Sequence, residues 1–328
     1  MKRTPLFGLF LIAALLAIGV PQTVASTVVV GTCMNNDQTY PTISQAVSSV
    51  PSGSTVLVCP GVYAEQVTVT QPLTLRGVTS GNTANPTIIV PAGGLTESVT
   101  APTNGVTMYF QILVQGTESG LVNISNIAVN GSSSANQGIN GWIEGIYYQN
   151  SSGTVSNVAT YGQNGNGYGF GIFVEGTTTP AKTVTVRNNS VHDFDAEGIR
   201  TNGHPWSPTL TVNIASNSVI HSNTFTGNPA YGGIDVQGAT GTISNNRVIT
   251  QPSAPGISAG VGIGLGSSIA VTVSTVENFS VGIWVGNCNS MKGNQVSLAG
   301  AAIVISGNGH DVENNSLRPQ YIVVVGPG

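Results

Sequence analysis

From residue 121 onward the apolar positions recur in a fixed phrase. An apolar residue is followed three positions later by Asn or another apolar residue, and two positions after that by a third, usually apolar, position. The copies are Ile124/Ile127/Val129, Val155/Val158/Thr160, Val186/Asn189/Val191, Ile214/Asn217/Val219, Ile243/Asn246/Val248, Val273/Val276/Asn278, Met291/Asn294/Val296 and Val312/Asn315/Leu317. Such self-similarity predicts a solenoid whose coils bury a continuous core only by stacking. Five copies carry Asn in the middle, where stacked amides can hydrogen-bond from coil to coil and tolerate a bent backbone. These asparagines read as structural.

A second phrase interleaves with the first: GIYYQ at 145, GIFVE at 171, GIRTN at 198, GIDVQ at 233, GIGLG at 262, GIWVG at 282 and AIVIS at 302. Each coil then has three short strands, the third opening on Gly-Ile. Strand alternation turns each Ile inward and the next residue outward. One outward column reads Tyr147, Phe173, Arg200, Asp235, Gly264, Trp284, Val304, and a second reads Gln149, Glu175, Asn202, Gln237, Gly266, Gly286, Ser306. Coils stack ~4.8 Å apart, so these side chains become neighbours in space. The chain between the middle position and the inward Ile is long in the coils of Ile127, Val158, Asn217 and Asn246 and short in those of Asn189, Val276 and Asn294. Insertions at one corner, carrying Trp142, Tyr161, Tyr168, Phe170 and Tyr231, predict a groove along the Gly-Ile face.

The N-terminal part has a different grammar. In TISQAVSSV, Ile43, Ala46, Val47 and Val50 share a helical face, and Thr42 with Gln45 starts it as a capping-box pair. Three alternating strands follow, around Val56/Val58, Val67/Val69 and Leu73/Leu75. Residues 27–77 thus read as an N-terminal cap and first coil, 121–318 as regular coils, and 26–328 as one domain. Ahead of them, Lys2 and Arg3, the apolar run Leu6–Val20, and a small-residue site after Ala25 form a signal peptide over 1–25. That predicts secretion to the cell envelope or beyond. No other segment is long and apolar enough for stable membrane insertion. In an oxidising compartment Cys33 and Cys59 are expected to pair, leaving Cys288 over. Composition adds little charge: 13 acids against 9 bases make no phosphate-binding stripe, so nucleic acid is excluded as a partner.

Residues 27–77, with PGVYAEQV and PLTLRG after the helix, resemble the entry segment of secreted bacterial right-handed parallel β-helix proteins of the pectin-lyase-like superfamily. The resemblance implies an all-β, single-domain right-handed parallel β-helix with three short strands per coil and an N-terminal capping helix. It also implies a polysaccharide partner. Gly61, Tyr63 and Glu65 match a pectin methylesterase phrase, and GHPW at 203–206 lies near another, but their Asp-bearing motifs are missing, so both read as features of the fold.

The charged stretch HDFDAEGIR at 192–200 carries the candidate chemistry in a chain of only 7% charged residues. If extended, it sets Asp193, Asp195 and Glu197 on one side, a set of hard oxygen ligands suited to Ca²⁺. Alternatively the corner is simply solvated. Pectate lyases of the superfamily pair Ca²⁺ with an Arg or Lys that removes a uronate α-proton, which implies Arg200, beside Asp235, as the base. Substrate contacts are expected from Tyr147, Phe173, Glu175, Asn202, Gln237 and Trp284, whose rings and amides suit sugar faces and hydroxyls. The resulting expectation is a carbohydrate-binding β-helix acting on an acidic glycan as a Ca²⁺-assisted lyase. The rival is a non-catalytic structural or binding β-helix of the cell envelope, favoured by the scarcity of titratable pairs elsewhere.

Overall fold

The computed structural model describes residues 24–325, apart from short segments at 36–37, 80–84, 118–119, 134–138, 166, 204–208, 223–231, 252–257, 267–268, 287–289, 298 and 319–321. The predicted signal peptide, Cys288, Tyr231 and most of the 203–206 phrase therefore lie outside the described residues.

The chain winds into a parallel β-solenoid with three sheets. Sheet I runs from Thr39–Tyr40 and Thr27–Val30 through Ser54–Val58, Leu73–Gly77 and Leu121–Ser125, then one strand per coil to Asp311–Glu313. Sheet II begins at Val62–Ala64 and ends at Ser316–Arg318. Sheet III begins at Val67–Val69 and ends at Ile322–Val325. Every described strand pair is parallel except one, Ser98–Thr100 against Thr107–Tyr109. The register stacks like on like: Ile124, Val155, Val186, Ile214, Ile243, Val271 and Met291 form one buried column. Each such side chain contributes about 1.5–3 kcal/mol by leaving water. A helix, Ile43–Ser49, places Ile43, Ala46 and Val47 in the same core cluster. Its first backbone N–H groups, on Ile43 and Ser44, donate to the Glu65 carboxylate at 2.9 Å each, and the Tyr63 hydroxyl donates to the Cys59 carbonyl. The methylesterase-like Tyr63 and Glu65 are thus structural. Cys33 and Cys59 form a disulfide.

The bend between sheets I and II is made the same way in each regular coil. Asn126, Asn157, Asn188, Ser216, Asn245, Val273, Gly293 and Asn314 all adopt a left-handed backbone, with φ between 50° and 67°. The bent residue is therefore the one before the ladder position. Behind it, Asn189 donates its amide to the Val155 carbonyl and to Asn217 Oδ1, which also accepts the Asn189 backbone N–H at 3.0 Å. Asn217 repeats this with Val186 and Asn246, and Asn294 with Val271 and Asn315. The ladder is a buried, mutually satisfied column.

One copy of the phrase is corrected. Val271 pairs with Ile243 and Met291, and Val276 with Val248 and Val296, so the coil reads Val271/Ser274/Val276 rather than Val273/Val276/Asn278. Ser274 holds the ladder slot, accepting from Asn246 N and donating its N–H to Asn294 Oδ1. From Ser274 to Ile283 is then nine residues, the same as from Asn294 to Ile303.

Two stability predictions follow from the ladder. Asn217→Ala strands the Val186 carbonyl and the Asn189 N–H, at about 1–3 kcal/mol for each buried group left unpaired, and denaturant unfolding should show a loss of roughly 2–4 kcal/mol. Val273 is a β-branched residue at φ 50° and is 61% exposed. Relieving strain that costs about 1–3 kcal/mol, Val273→Asn should raise the unfolding midpoint; no change or a fall would contradict the bend as described.

Candidate functional site

The Gly of each Gly-Ile phrase decides which side chains face outward on sheet III. A Cβ at Gly198, Gly233, Gly262 or Gly282 would stand 2.1–2.4 Å from Cγ1 of the facing valine of sheet II. Glycine and isoleucine therefore both turn into the core. The residue before the glycine comes out on the same face as the residue after the isoleucine. This sets a column of Phe110, Glu144, Phe170 and Glu197 beside the expected column of Tyr147, Phe173, Arg200 and Asp235.

The N-terminal half of this face is covered. Residues 95–106 form a strap that pairs through Ser98–Thr100 with Thr107–Tyr109 and lays Val99, Ala101 and Val106 on Tyr147 and Phe173. Gln66 anchors its base, accepting from Thr96 N and Glu97 N and donating to the Glu97 and Phe110 carbonyls. At its tip Thr103 donates its N–H (2.9 Å) and hydroxyl to Glu175 and accepts from Asn202 Nδ2 at 2.7 Å. Gln149 Nε2 reaches the Thr100 carbonyl. Tyr147, Phe173 and Glu175 are consequently fully buried, with the Tyr147 and Phe173 rings stacked at 5.3 Å and the Tyr147 hydroxyl on Glu175. They line no open groove, contrary to the sequence expectation.

The open stretch begins at Arg200. Its Nη1 lies 3.2 Å from Glu197 Oε1 and 3.9 Å from Asp235 Oδ2, and its guanidinium carbon is 5.2 Å from the Trp142 ring centre and 5.6 Å from that of Phe170. Tyr168, half exposed, stacks on the outer side of Trp142 at 6.0 Å and 7°. Asp235 accepts from Gln237 Nε2 at 2.9 Å, and the next coil offers glycines in both columns, Gly264 and Gly266. A Cβ at either would approach Asp235 Oδ1 or Gln237 Oε1 to 3.0 Å or less. Trp284 lies one coil further, half buried, and Asn202 and Gln237 are also half buried beside the trough.

Burial dominates the electrostatics. It raises the Glu197 carboxyl to about 7, with Arg200 opposing and Asp235 reinforcing the shift. Burial also raises Asp235, against the pull of Arg200 and the Gln237 amide. Glu144, completely buried with neither carboxyl oxygen hydrogen-bonded, is raised well above the carboxylate range by burial and then by Glu175, with Arg200 opposing.

The three acids expected to share a cation do not converge. Asp193 adopts a left-handed backbone and pairs with His192 Nδ1 at 2.7 Å. Asp195 turns inward, accepting from Gly165 N at 3.0 Å, Gly167 N at 2.7 Å and Gly169 N, and so ties down the 163–169 loop. Glu197 alone joins the trough. The corner is bent rather than extended, so alternation does not apply to it. Among the described residues no group of three or more His, Cys, Asp or Glu side chains is arranged to hold a metal ion, and the set chosen for Ca²⁺ does not fit one. Glu144 escaped notice in the sequence, although its place before Gly145-Ile146 is the place of Glu197 before Gly198-Ile199. The strap had no signal in either repeated phrase.

With this geometry the chain is similar in structure to a GH136 lacto-N-biosidase from Eubacterium ramulus, with TM-score 0.56 and 11% identity, covering 91% of this chain and 68% of that one. The pectate lyase Pel9A gives 0.52 and 14%, covering 90% and 80%. XylC in complex with xylose gives 0.50 and 11%, covering 88% and 69%. At such identities the likeness is one of fold alone, that of a parallel β-helix. No protein-family model matches the sequence, and no match was found among curated proteins.

The raised Glu197 carboxyl has a consequence for stability. Its proton is held more tightly folded than unfolded, so the stabilisation it gives is complete below about pH 4.5 and is lost as pH rises towards 7. Denaturant midpoints across that window should fall less steeply in Glu197→Gln than in the parent protein. Parallel profiles would show that Glu197 titrates normally.

Proposed function

We propose that the protein is a carbohydrate-active β-helix that binds a saccharide in the trough from Arg200 to Trp284, with Glu197 and Asp235 placed to hydrolyse a glycosidic bond. The observation that carries this reading is the pair of carboxylates flanking one guanidinium nitrogen beside the half-buried Trp142 and the exposed Tyr168. Their two contacts with Arg200 keep them within the about 9.5 Å that bounds carboxylate pairs acting across a glycosidic bond. Glu197, whose carboxyl burial raises to about 7, donates its proton to the leaving oxygen as the C–O bond breaks. Asp235 takes a proton from the water that attacks the sugar carbon; water is consumed, and Asp235 then releases its proton to solvent while Glu197 takes one up before the next turnover. Tyr168, half exposed and backed by Trp142, offers a ring face for sugar stacking, and Asn202 and Gln237 offer amides for hydroxyls.

Charge argues for an uncharged glycan. Arg200 is already engaged by Glu197 and Asp235, so a uronate would find no unpaired cation at this site, where the sequence led us to expect an acidic glycan. Arg200, engaged by two carboxylates and stacked on rings, suits electrostatic positioning better than removal of a proton. Export remains part of the reading: the disulfide suits an oxidising compartment, and no helix among the described residues is long and apolar enough to cross a membrane.

The test is a panel of neutral and acidic oligosaccharides, followed by calorimetry for binding, by reducing ends for hydrolysis, and by ultraviolet absorbance for the unsaturated products of a lyase. Neutral glycans are expected to bind and to yield reducing ends. Tyr168→Ala should weaken binding ~10-fold, and Asp235→Asn should cut turnover ~100-fold or more while leaving binding in place. Absorbing products would return the lyase reading, and binding without products would establish the non-catalytic one.

A further inference from the structure

Resting on that reading of the trough, the geometry points to recognition of a glycan end rather than the middle of a chain. A groove along sheet III would run the length of the solenoid, but here the strap closes it. Over the coils of Tyr147 and Phe173 the outward Tyr147, Phe173 and Glu175 are fully buried, with Val99, Ala101 and Val106 packed in the same cluster as the two rings. The next coil, that of Arg200, is the first with open floor. The closure is built rather than incidental. Thr103 at the strap tip is held from both sides of the boundary, by Glu175 in the last covered coil and by Asn202 in the first open one. Trp142, with Tyr168 stacked on it, stands at the same boundary, its ring 5.2 Å from the Arg200 guanidinium.

In the other direction the described residues leave the floor clear. Gly264 and Gly266 bring no side chains of their own and are flanked by those of Asp235 and Gln237, Trp284 and Val304 follow in the same column as Gly264, and no described segment crosses them. The trough is blind at the strap, and among the described residues nothing closes it towards the C-terminal coils. A glycan therefore enters terminus first, with its last ring against Thr103 and Trp142 and the rest of the chain leading out over the glycines towards Trp284.

This position also sets the product. Glu197 and Arg200 lie in the first open coil and Asp235 in the second, within ~10 Å of the blocked end at ~4.8 Å per coil. That leaves room for one or two sugar rings before the bond between the carboxylates. The protein should release a monosaccharide or disaccharide from one end of the chain and leave the interior bonds intact.

The experiment uses the whole protein and linear neutral oligosaccharides of graded length from the cello-, xylo- and malto- series, with a cyclic malto-oligosaccharide as the form without ends. Calorimetry should give one protein per chain at every length for any series that binds. Short products should accumulate while the remaining polymer shortens slowly. Stoichiometry that grows with chain length, or a cyclic glycan binding as well as its linear counterpart, would overturn end recognition while leaving saccharide binding standing. Binding to none of the neutral or acidic chains would overturn the saccharide reading, and end recognition with it.

Discussion

The hydrogen bonds that tie each ladder side chain to the coil on either side of it fix everything else in the molecule. Because Asn189, Asn217, Asn246, Ser274, Asn294 and Asn315 share one column, the register of sheets I and II cannot slip without stranding buried donors and acceptors. The left-handed residue before each of them turns the chain by the same amount in every coil. Identical bends keep the third strands in register as well, which is why Arg200 meets Asp235 and Glu175 meets Asn202 across sheet III.

On that fixed frame the site is made by two local devices. The glycine column, forced by the valines of sheet II, adds a second outward residue per coil and brings Glu197 beside Arg200. The strap then divides the face into a covered aromatic half and an open polar half. Without the first the carboxylate pair would be missing one partner. Without the second the trough would run through.

The repeat, the three strands per coil and the outward column from Tyr147 to Val304 were legible because each rests on a spacing that stacking enforces. The coil of Val271 was misread because Val273 and Val276 imitate the ladder spacing and because serine does the work of asparagine at 274. The carboxylates at 193–197 were misplaced because alternation holds only within a strand, and the chain turns at Asp193. Burial of Tyr147, Phe173 and Glu175 was illegible in principle from the repeat. The strap that covers them is a single insertion before the regular coils, and its contacts are long in sequence, such as Thr103 to Asn202.

The central claim concerns where a ligand lies, and a crystal structure of the protein with a bound neutral oligosaccharide tests it most directly. The account predicts sugar rings along Arg200, Asp235 and Trp284, with the terminal ring against Thr103 and Trp142 and the strap in place. Sugar on sheet I or sheet II, or lying over Tyr147 and Phe173 with the strap displaced, would contradict it.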